Sequence, residues 1–130
     1  MSKTSSAAAT VEKWSEEVTS KGFQIVPDLL LKKQAALQIS APEMMVLLNV
    51  LMHWWTRDSA VFPSADAIAE RIGINRRSVD RSVDGLIKKG LLKKERQGNL
   101  VLYDPTPLAS KLREVSLSTQ SAQGNEQVVE

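Results

Sequence analysis

The chain has 130 residues, 42% of them hydrophobic and 25% charged, with a formal net charge of +2 and no cysteine. This length and apolar content predict one domain with a modest core. The lack of cysteine excludes disulfides, thiolate metal sites and cysteine nucleophiles. The longest apolar run, over residues 44–55, is interrupted by Asn49 and His53 and is too short for a membrane span. We therefore expect a cytoplasmic protein without a membrane partner.

The first predicted element is a helix over residues 10–21, after a small, polar segment over residues 1–9 that we expect to be disordered. Val11, Trp14 and Val18 recur at helical spacing and form a narrow apolar stripe, and Gly22 ends the pattern. Because a short isolated helix is marginal in water, the stripe must dock on another surface. Docking within the chain and docking across a dimer interface both remain open.

Two helices are predicted next. Pro27 opens a short helix that reaches Ala36, and a capping-box sequence, Ser40-Ala41-Pro42-Glu43, opens a longer helix over residues 42–57. The longer helix is apolar almost all round, so we expect it to be buried on most sides or to share a face with a partner. Its two tryptophans, Trp54 and Trp55, are assigned to core or dimer packing. A loop over residues 57–60 and a short strand at Val61–Phe62 follow.

Residues 62–92 have the pattern of two helices joined by a tight turn. Ser64 is a predicted N-cap, and it is followed by apolar residues at helical spacing up to Ile72. Gly73 supplies the backbone conformation that helix ends favour. Asn75 is a second N-cap before an arginine-rich helix over residues 75–89, which Gly90 closes. This order is typical of a DNA-binding helix-turn-helix.

A basic β-hairpin is predicted directly after the second helix. Residues 91–96 and 100–103 are strand-like and flank Gln97-Gly98-Asn99, and a Gly-Asn pair is a hairpin-turn signal. A hairpin in this position defines a wing. A short helix with Pro107 in its first turn and an apolar face of Leu108, Leu112 and Val115 completes a domain over residues 10–115. The polar tail over residues 116–130 is predicted to be disordered.

The charge distribution indicates where a polyanion would bind. Between Arg71 and Arg96, nine basic and three acidic residues give a net charge of +6, which leaves −4 for the rest of the chain. A basic segment on a mildly acidic body is the electrostatic pattern of a nucleic-acid surface.

Candidate DNA contacts follow from the helical wheel of residues 75–89 and from the position of the wing. The N-terminal part of a recognition helix enters the major groove. The candidates for base contact are Asn75, Arg76, Arg77, Ser78, Asp80, Arg81 and Asp84. Either aspartate can accept from cytosine, although orienting a neighbouring arginine is at least as favoured. The candidates for phosphate or minor-groove contact are Ser64, Lys88, Lys93, Lys94, Arg96, Gln97 and Asn99.

Catalytic chemistry is not indicated. His53 is the only histidine, it lies in an apolar helix, and it has no acidic residue at i ± 3 or i ± 4. No glycine-rich phosphate loop and no metal-ligand spacing stands out in the sequence. We therefore expect a non-enzymatic protein with no cofactor, no metal and no small-molecule ligand.

The segment FPSADAIAERIGINRRSVDRSVDGLIKKGLLKK resembles the winged helix-turn-helix of small bacterial transcriptional regulators. It is also similar to the N-terminal DNA-binding domains of some phage and plasmid replication proteins. FQIVPDLLL upstream and YDPTPLASKL downstream extend the resemblance to residues 23–115. It implies a mainly α fold with a small β-hairpin, namely a winged helix-turn-helix with an added N-terminal helix, and it implies binding to double-stranded DNA in the bacterial cytoplasm.

The resemblance leaves the biological role open. Replication proteins of this kind usually continue into a further domain, whereas this chain ends in a short polar tail, which favours a stand-alone regulator unless the chain is truncated. The first hypothesis is therefore a homodimeric, sequence-specific regulator of the repressor type that reads an inverted repeat. The alternatives are a plasmid or phage replication or partition factor, in an initiator or accessory role, and a winged-helix module whose main partner is a protein.

Overall fold

A computed structural model of the chain describes residues 6–54 and 63–122. Its elements in chain order are α1 (Ser6–Trp14), α2 (Glu16–Thr19), α3 (Asp28–Lys32), α4 (Ala41–Leu51), α5 (Ala65–Ile72), α6 (Arg76–Lys88), β1 (Lys93–Gln97), β2 (Leu100–Asp104) and α7 (Thr106–Ala122). The predicted fold class is confirmed, because the described residues are mainly helical and form a two-stranded antiparallel hairpin after a helix-turn-helix. None of the helices in the described ranges combines the length and the apolar character needed to cross a membrane.

Helix α4 is the scaffold of the core, as its nearly all-apolar sequence predicts. The capping box is present, with Ser40 Oγ accepting from the Glu43 backbone N–H and Glu43 Oε1 accepting from the Ser40 backbone N–H. Val46, Leu47 and Val50 have no exposed surface. The helix ends at Leu51 instead of Arg57, because the next turn tightens to i→i+3 hydrogen bonds that close at Trp54. The predicted loop and the short strand at Val61–Phe62 lie outside the described residues.

The helix-turn-helix is built from the predicted local signals. Ser64 Oγ accepts from the Ala67 N–H at the start of α5, and Asn75 Oδ1 accepts from the Ser78 N–H at the start of α6. Gly73 has a φ of 82°, a left-handed conformation in which glycine carries no steric cost. These local bonds fix where each helix begins and ends, and the apolar faces of α5 and α6 then pack on α4.

Helix α6 is held on α4 by a polar contact that the sequence patterns did not predict. The Glu43 carboxylate accepts a hydrogen bond from Lys89 Nζ, and Lys89 also donates to the Gln38 carbonyl. Burial opposes ionisation of Glu43, but the bonds from Lys89 and Ser40 outweigh it and hold the pKa of the carboxyl below its usual value. Gly85 on α6 faces the same carboxylate so closely that a β-carbon there would overlap Glu43 Oε2.

The wing begins two residues later than predicted. Leu91 and Leu92 are 1% and 2% exposed and belong to the core, so the prediction of a strand over residues 91–96 is wrong at its start. Burial decides here, since an apolar pair fits a strand or a packed turn equally well in sequence. In the hairpin, Lys93 pairs with Asp104 and Gln97 pairs with Leu100, which leaves Gly98 and Asn99 as the turn.

Both ends of the domain differ from the predicted boundaries. Helical structure begins at Ser6 instead of Thr10, and Ser15, with a φ of 82°, splits the predicted single helix into α1 and α2. At the other end, α7 continues to Ala122, past the predicted start of a disordered tail at Ser116. The sequence has no proline or glycine between Pro107 and Gly124, so nothing in the backbone stops the helix after its packed half.

Candidate nucleic-acid interface

Helix α6 has one buried face and one exposed face. Val79, Ser82, Val83 and Leu86 are buried against the other helices. The exposed side chains of the helix include the predicted base-contact and phosphate candidates Arg76, Arg77, Asp80, Arg81, Asp84 and Lys88. Since the buried residues fix the rotation of the helix, the predicted polar face is the face that a nucleic acid can reach.

Arg77, Arg81 and Lys88 form a cationic stripe along the outer side of α6. Their spacing along the helix places them within a narrow arc, and none of them has an ion-pair partner among residues 6–54 and 63–122. Two arginines lie in the first helical turn, where the helix dipole favours anions and disfavours cations. The three side chains are therefore free of ion pairs within the described ranges and are available to an external anion.

Arg76 is arranged differently from Arg77. Its Nη1 lies 3.2 Å from Asp66 Oδ2 on α5, and its Nε lies 3.6 Å from Asp80 Oδ2 one turn along α6. All three side chains are more than half exposed, so the pairs contribute little to stability. They do orient Arg76, which supports the interpretation of Asp80 as a residue that positions an arginine.

Some of the hydrogen-bonding groups of Asn75 and Ser78 are used in capping α6. The Asn75 carbonyl oxygen accepts from the Ser78 N–H, so only the amide donors of Asn75 remain for a base edge. Ser78 is half-buried. Both residues remain candidates for base contact, with less free hydrogen-bonding capacity than the sequence suggested.

A cleft of about 510 Å³ separates α6 from the wing. One wall carries Arg76, Asp80 and Asp84, and the opposite wall carries Lys94, Arg96 and Asn99. Ser64, whose hydroxyl caps α5, also lines this cleft. The cleft thus brings predicted base-contact and phosphate-contact candidates to face each other across the helix–wing boundary.

Tyr103 contributes to this cleft, and the sequence patterns did not identify it. It is 4% exposed and lies opposite Lys94 in the hairpin register. Burial and the charge of Asp80 raise the pKa of its hydroxyl, Arg76 opposes them, and Asp84 adds a smaller increase. From the sequence alone, a tyrosine in a strand is expected to belong to the core. Only the packing of the wing beside α6 shows that Tyr103 lies at the candidate site.

The cations of the wing are divided between its two faces. Lys94 and Arg96 alternate with Lys93, Glu95 and Gln97, so the two groups lie on opposite sides of the strand. Lys93 lies beside Asp104, whose carboxylate also accepts from the Thr106 hydroxyl and backbone N–H. Burial opposes ionisation of Asp104, but these bonds and Lys93 lower its pKa. Of the wing candidates, Lys94, Arg96 and Asn99 line the cleft, while Lys93 and Gln97 do not.

Arg71, which was counted in the basic segment, is directed toward α4. Its Nη1 donates to Asn49 Oδ1 at 3.3 Å and lies 3.2 Å from His53 Nε2. Asn49 is buried and also donates to the Met45 carbonyl at 2.9 Å. Asn49 on α4 and His53 just after its end therefore connect α5 to α4 through Arg71.

The predicted packing residues fall into two groups. Trp14 and Val18 are 65% and 53% exposed, and Val11 is half-buried, so the N-terminal stripe is only partly covered by the described residues. Trp54 packs against the core. Trp55 lies outside the described residues.

Comparison with known proteins identifies one family. Residues 26–123 match the model of the DnaD N-terminal domain. No curated protein matches the chain by sequence.

Similar solved structures include YusO from Bacillus subtilis, with 13% identity over 95% of this chain and 82% of that one, at a TM-score of 0.49. The transcriptional regulator BldR from Sulfolobus solfataricus has 14% sequence identity, and the match covers 99% of this chain and 90% of that one at a TM-score of 0.46. A MarR family protein from Bacillus stearothermophilus has 11% sequence identity, and the match covers 97% of this chain and 86% of that one at a TM-score of 0.39. With TM-scores below 0.5, these similarities carry no argument about function.

Proposed function

Because the chain belongs to the DnaD N-terminal domain family, a family of replication proteins, we propose that it is the duplex-DNA-binding module of a replication protein. The family match covers residues 26–123, which include the whole helix-turn-helix and wing. It favours the replication role, which the sequence offered as an alternative, over the repressor-type regulator that stood first.

The cationic stripe of α6 is the observation that best supports DNA binding. Arg77, Arg81 and Lys88 are exposed, have no ion-pair partner in the described ranges, and lie on the face opposite the buried one. Cations without ion-pair partners on a rigid helix can bind the phosphates of a polyanion. Guanidinium groups near the start of that helix can donate hydrogen bonds to guanine edges in the major groove. Each bidentate arginine–guanine pair contributes about 1–3 kcal/mol of discrimination.

The wing completes the proposed docking. With the first turns of α6 in the major groove, Lys94 and Arg96 on the facing side of the hairpin meet the adjacent backbone, and Asn99 at the turn reaches toward the minor groove. Since phosphate contacts release counterions, the affinity falls steeply with salt.

The test is a titration of duplex DNA with the wild type and with Arg77→Ala and Arg81→Ala, followed by fluorescence anisotropy at several salt concentrations. We expect each variant to lose specific binding while its thermal unfolding stays close to that of the wild type. Arg113→Ala, on the exposed side of α7, is the matched control and retains binding. Equal affinities for the wild type and both α6 variants would contradict the proposal, as would a wild type that binds a protein but shows no salt-dependent DNA affinity.

The replication role has its own test. Selection of bound fragments from the source genome yields fragments that cluster at a replication origin. Fragments that cluster at promoters would instead favour the regulator hypothesis, and they would leave the DNA-binding proposal intact.

We also propose that the chain forms a homodimer through its N-terminal segment, residues 6–25. Trp14, Val18, Phe23 and Ile25 are each at least half exposed, and Ile25 is 84% exposed. Large apolar side chains grouped in one segment are characteristic of an interface. Light scattering at micromolar concentration is expected to give a dimer mass for the wild type and a monomer mass for Trp14→Glu, and a monomeric wild type would refute the interface.

A further inference from the structure

The wing-facing wall of α6 carries two carboxylates in the middle of the proposed DNA interface. Asp80 is paired with Arg76 at 3.6 Å. Asp84, one turn further along, is exposed and has no ion-pair partner in residues 6–54 and 63–122. The two aspartates therefore differ, since Asp80 orients an arginine, whereas Asp84 presents an unpaired carboxylate to the cleft, with Arg81 and Lys88 about one helical turn away on either side.

The charge of Asp84 acts on Tyr103, which also lines the cleft. Tyr103 lies there, nearly fully buried, and Asp84 is one of the carboxylates that raise the pKa of its hydroxyl. Lys94 and Arg96 face the same space from the wing. A phosphate drawn into the cleft by those two cations would meet the Asp84 carboxylate on the other wall.

We infer that Asp84 is a specificity-determining residue, because its unpaired carboxylate disfavours docked arrangements that bring a phosphate against the α6 wall of the cleft, instead of against Lys94 and Arg96 on the wing wall. The inference rests on the proposed function. Non-specific complexes are held almost entirely by phosphate contacts and sample many registers along the duplex. In a specific complex, base contacts fix one register, and like-charge repulsion acts mainly against the others.

The consequence concerns the ratio of two affinities. Asp84→Asn keeps the size and shape of the side chain and removes the charge. It is expected to tighten binding to a random-sequence duplex about fivefold, which is the size of effect that one nearby exposed charge produces. Binding to a duplex that the wild type itself selects from a random pool changes less, so the specificity ratio falls.

The experiment measures both dissociation constants for the wild type, Asp84→Asn and Glu114→Gln, at one salt concentration. Glu114→Gln makes the same change of charge on the exposed surface of α7 and is expected to behave as the wild type. Tyr103 is the only tyrosine, so its absorbance titration reports the geometry without DNA: Asp84→Asn is expected to lower its pKa.

The outcomes separate this inference from the proposed function. A lower specificity ratio in Asp84→Asn alone supports the inference. An unchanged ratio, or an equal change in Glu114→Gln, overturns it while DNA binding stands. A wild type that shows no salt-dependent DNA binding overturns the proposed function and the inference with it.

Discussion

The N-terminal segment and the helical body, residues 28–115, both contain large apolar side chains, but only the body buries them. Leu86, Val79 and Leu47 have no exposed surface, whereas Trp14 and Ile25 are 65% and 84% exposed. The family match begins at residue 26, where this difference begins. The comparison indicates that the body folds around its own core, while the apolar side chains of the segment are available to another surface.

Truncation of one buried and one exposed side chain is expected to separate the body from the N-terminal segment most clearly. Leu86→Ala leaves a cavity between α6 and α4 and is expected to lower the free energy of unfolding by about 2–5 kcal/mol. Trp14→Ala removes a larger side chain but is expected to cost less than about 0.5 kcal/mol in the monomer. Urea unfolding at submicromolar concentration measures both. Comparable losses would show that the segment belongs to the core.

A smaller effect is expected at Gly85, where α6 meets Glu43. A helix-interior glycine is about 0.5–1 kcal/mol less stable than alanine. Overpacking the Glu43 carboxylate costs about 1–3 kcal/mol, so Gly85→Ala is expected to destabilise the wild type by about 1 kcal/mol. In a Glu43→Ala background the same substitution is expected to stabilise. The double-mutant cycle by urea unfolding is decisive, and the same sign in both backgrounds would refute the contact.

The smallest expected effect is the acid dependence of stability. The folded-state pKa values of Glu43 and Asp104 lie below the usual 4.5 and 3.8, so their contributions are present above those values and are lost as the pH falls through the folded-state values. The midpoint of urea unfolding is expected to fall below about pH 4.5. Glu43→Gln is expected to be less stable at neutral pH and to lose less on acidification. An equal loss of stability on acidification in Glu43→Gln would show that Glu43 does not contribute to the acid dependence.

Local signals in the sequence predicted much of the fold. The caps at Ser40, Ser64 and Asn75 and the turn at Gly73 each depend on residues within four positions, so short patterns identify them. The apolar face of α6 was predicted for the same reason. The burial of Leu91 was not, because a short apolar run does not specify what packs over it.

The candidate site was predicted only in part. The outer stripe follows from helical periodicity, so Arg77 and Arg81 were identified as leading candidates. The pairing of Arg76 with Asp66 and the position of Tyr103 beside Asp80 depend on how α5 and the wing pack on α6. No spacing rule connects residues of different elements, and so the sequence did not divide the basic residues into paired and unpaired ones.

Under the proposed function, the first-turn arginines of α6 serve DNA binding and not stability. Arg77→Glu tests it most directly, because a glutamate suits the helix dipole and is expected to raise the free energy of unfolding by up to about 1 kcal/mol. Arg113→Glu makes the same charge change on α7. We predict that Arg77→Glu abolishes duplex binding with an unchanged or higher unfolding midpoint, while Arg113→Glu retains binding. Wild-type affinity in Arg77→Glu, or an equal loss in Arg113→Glu, would show that α6 does not bind DNA through Arg77.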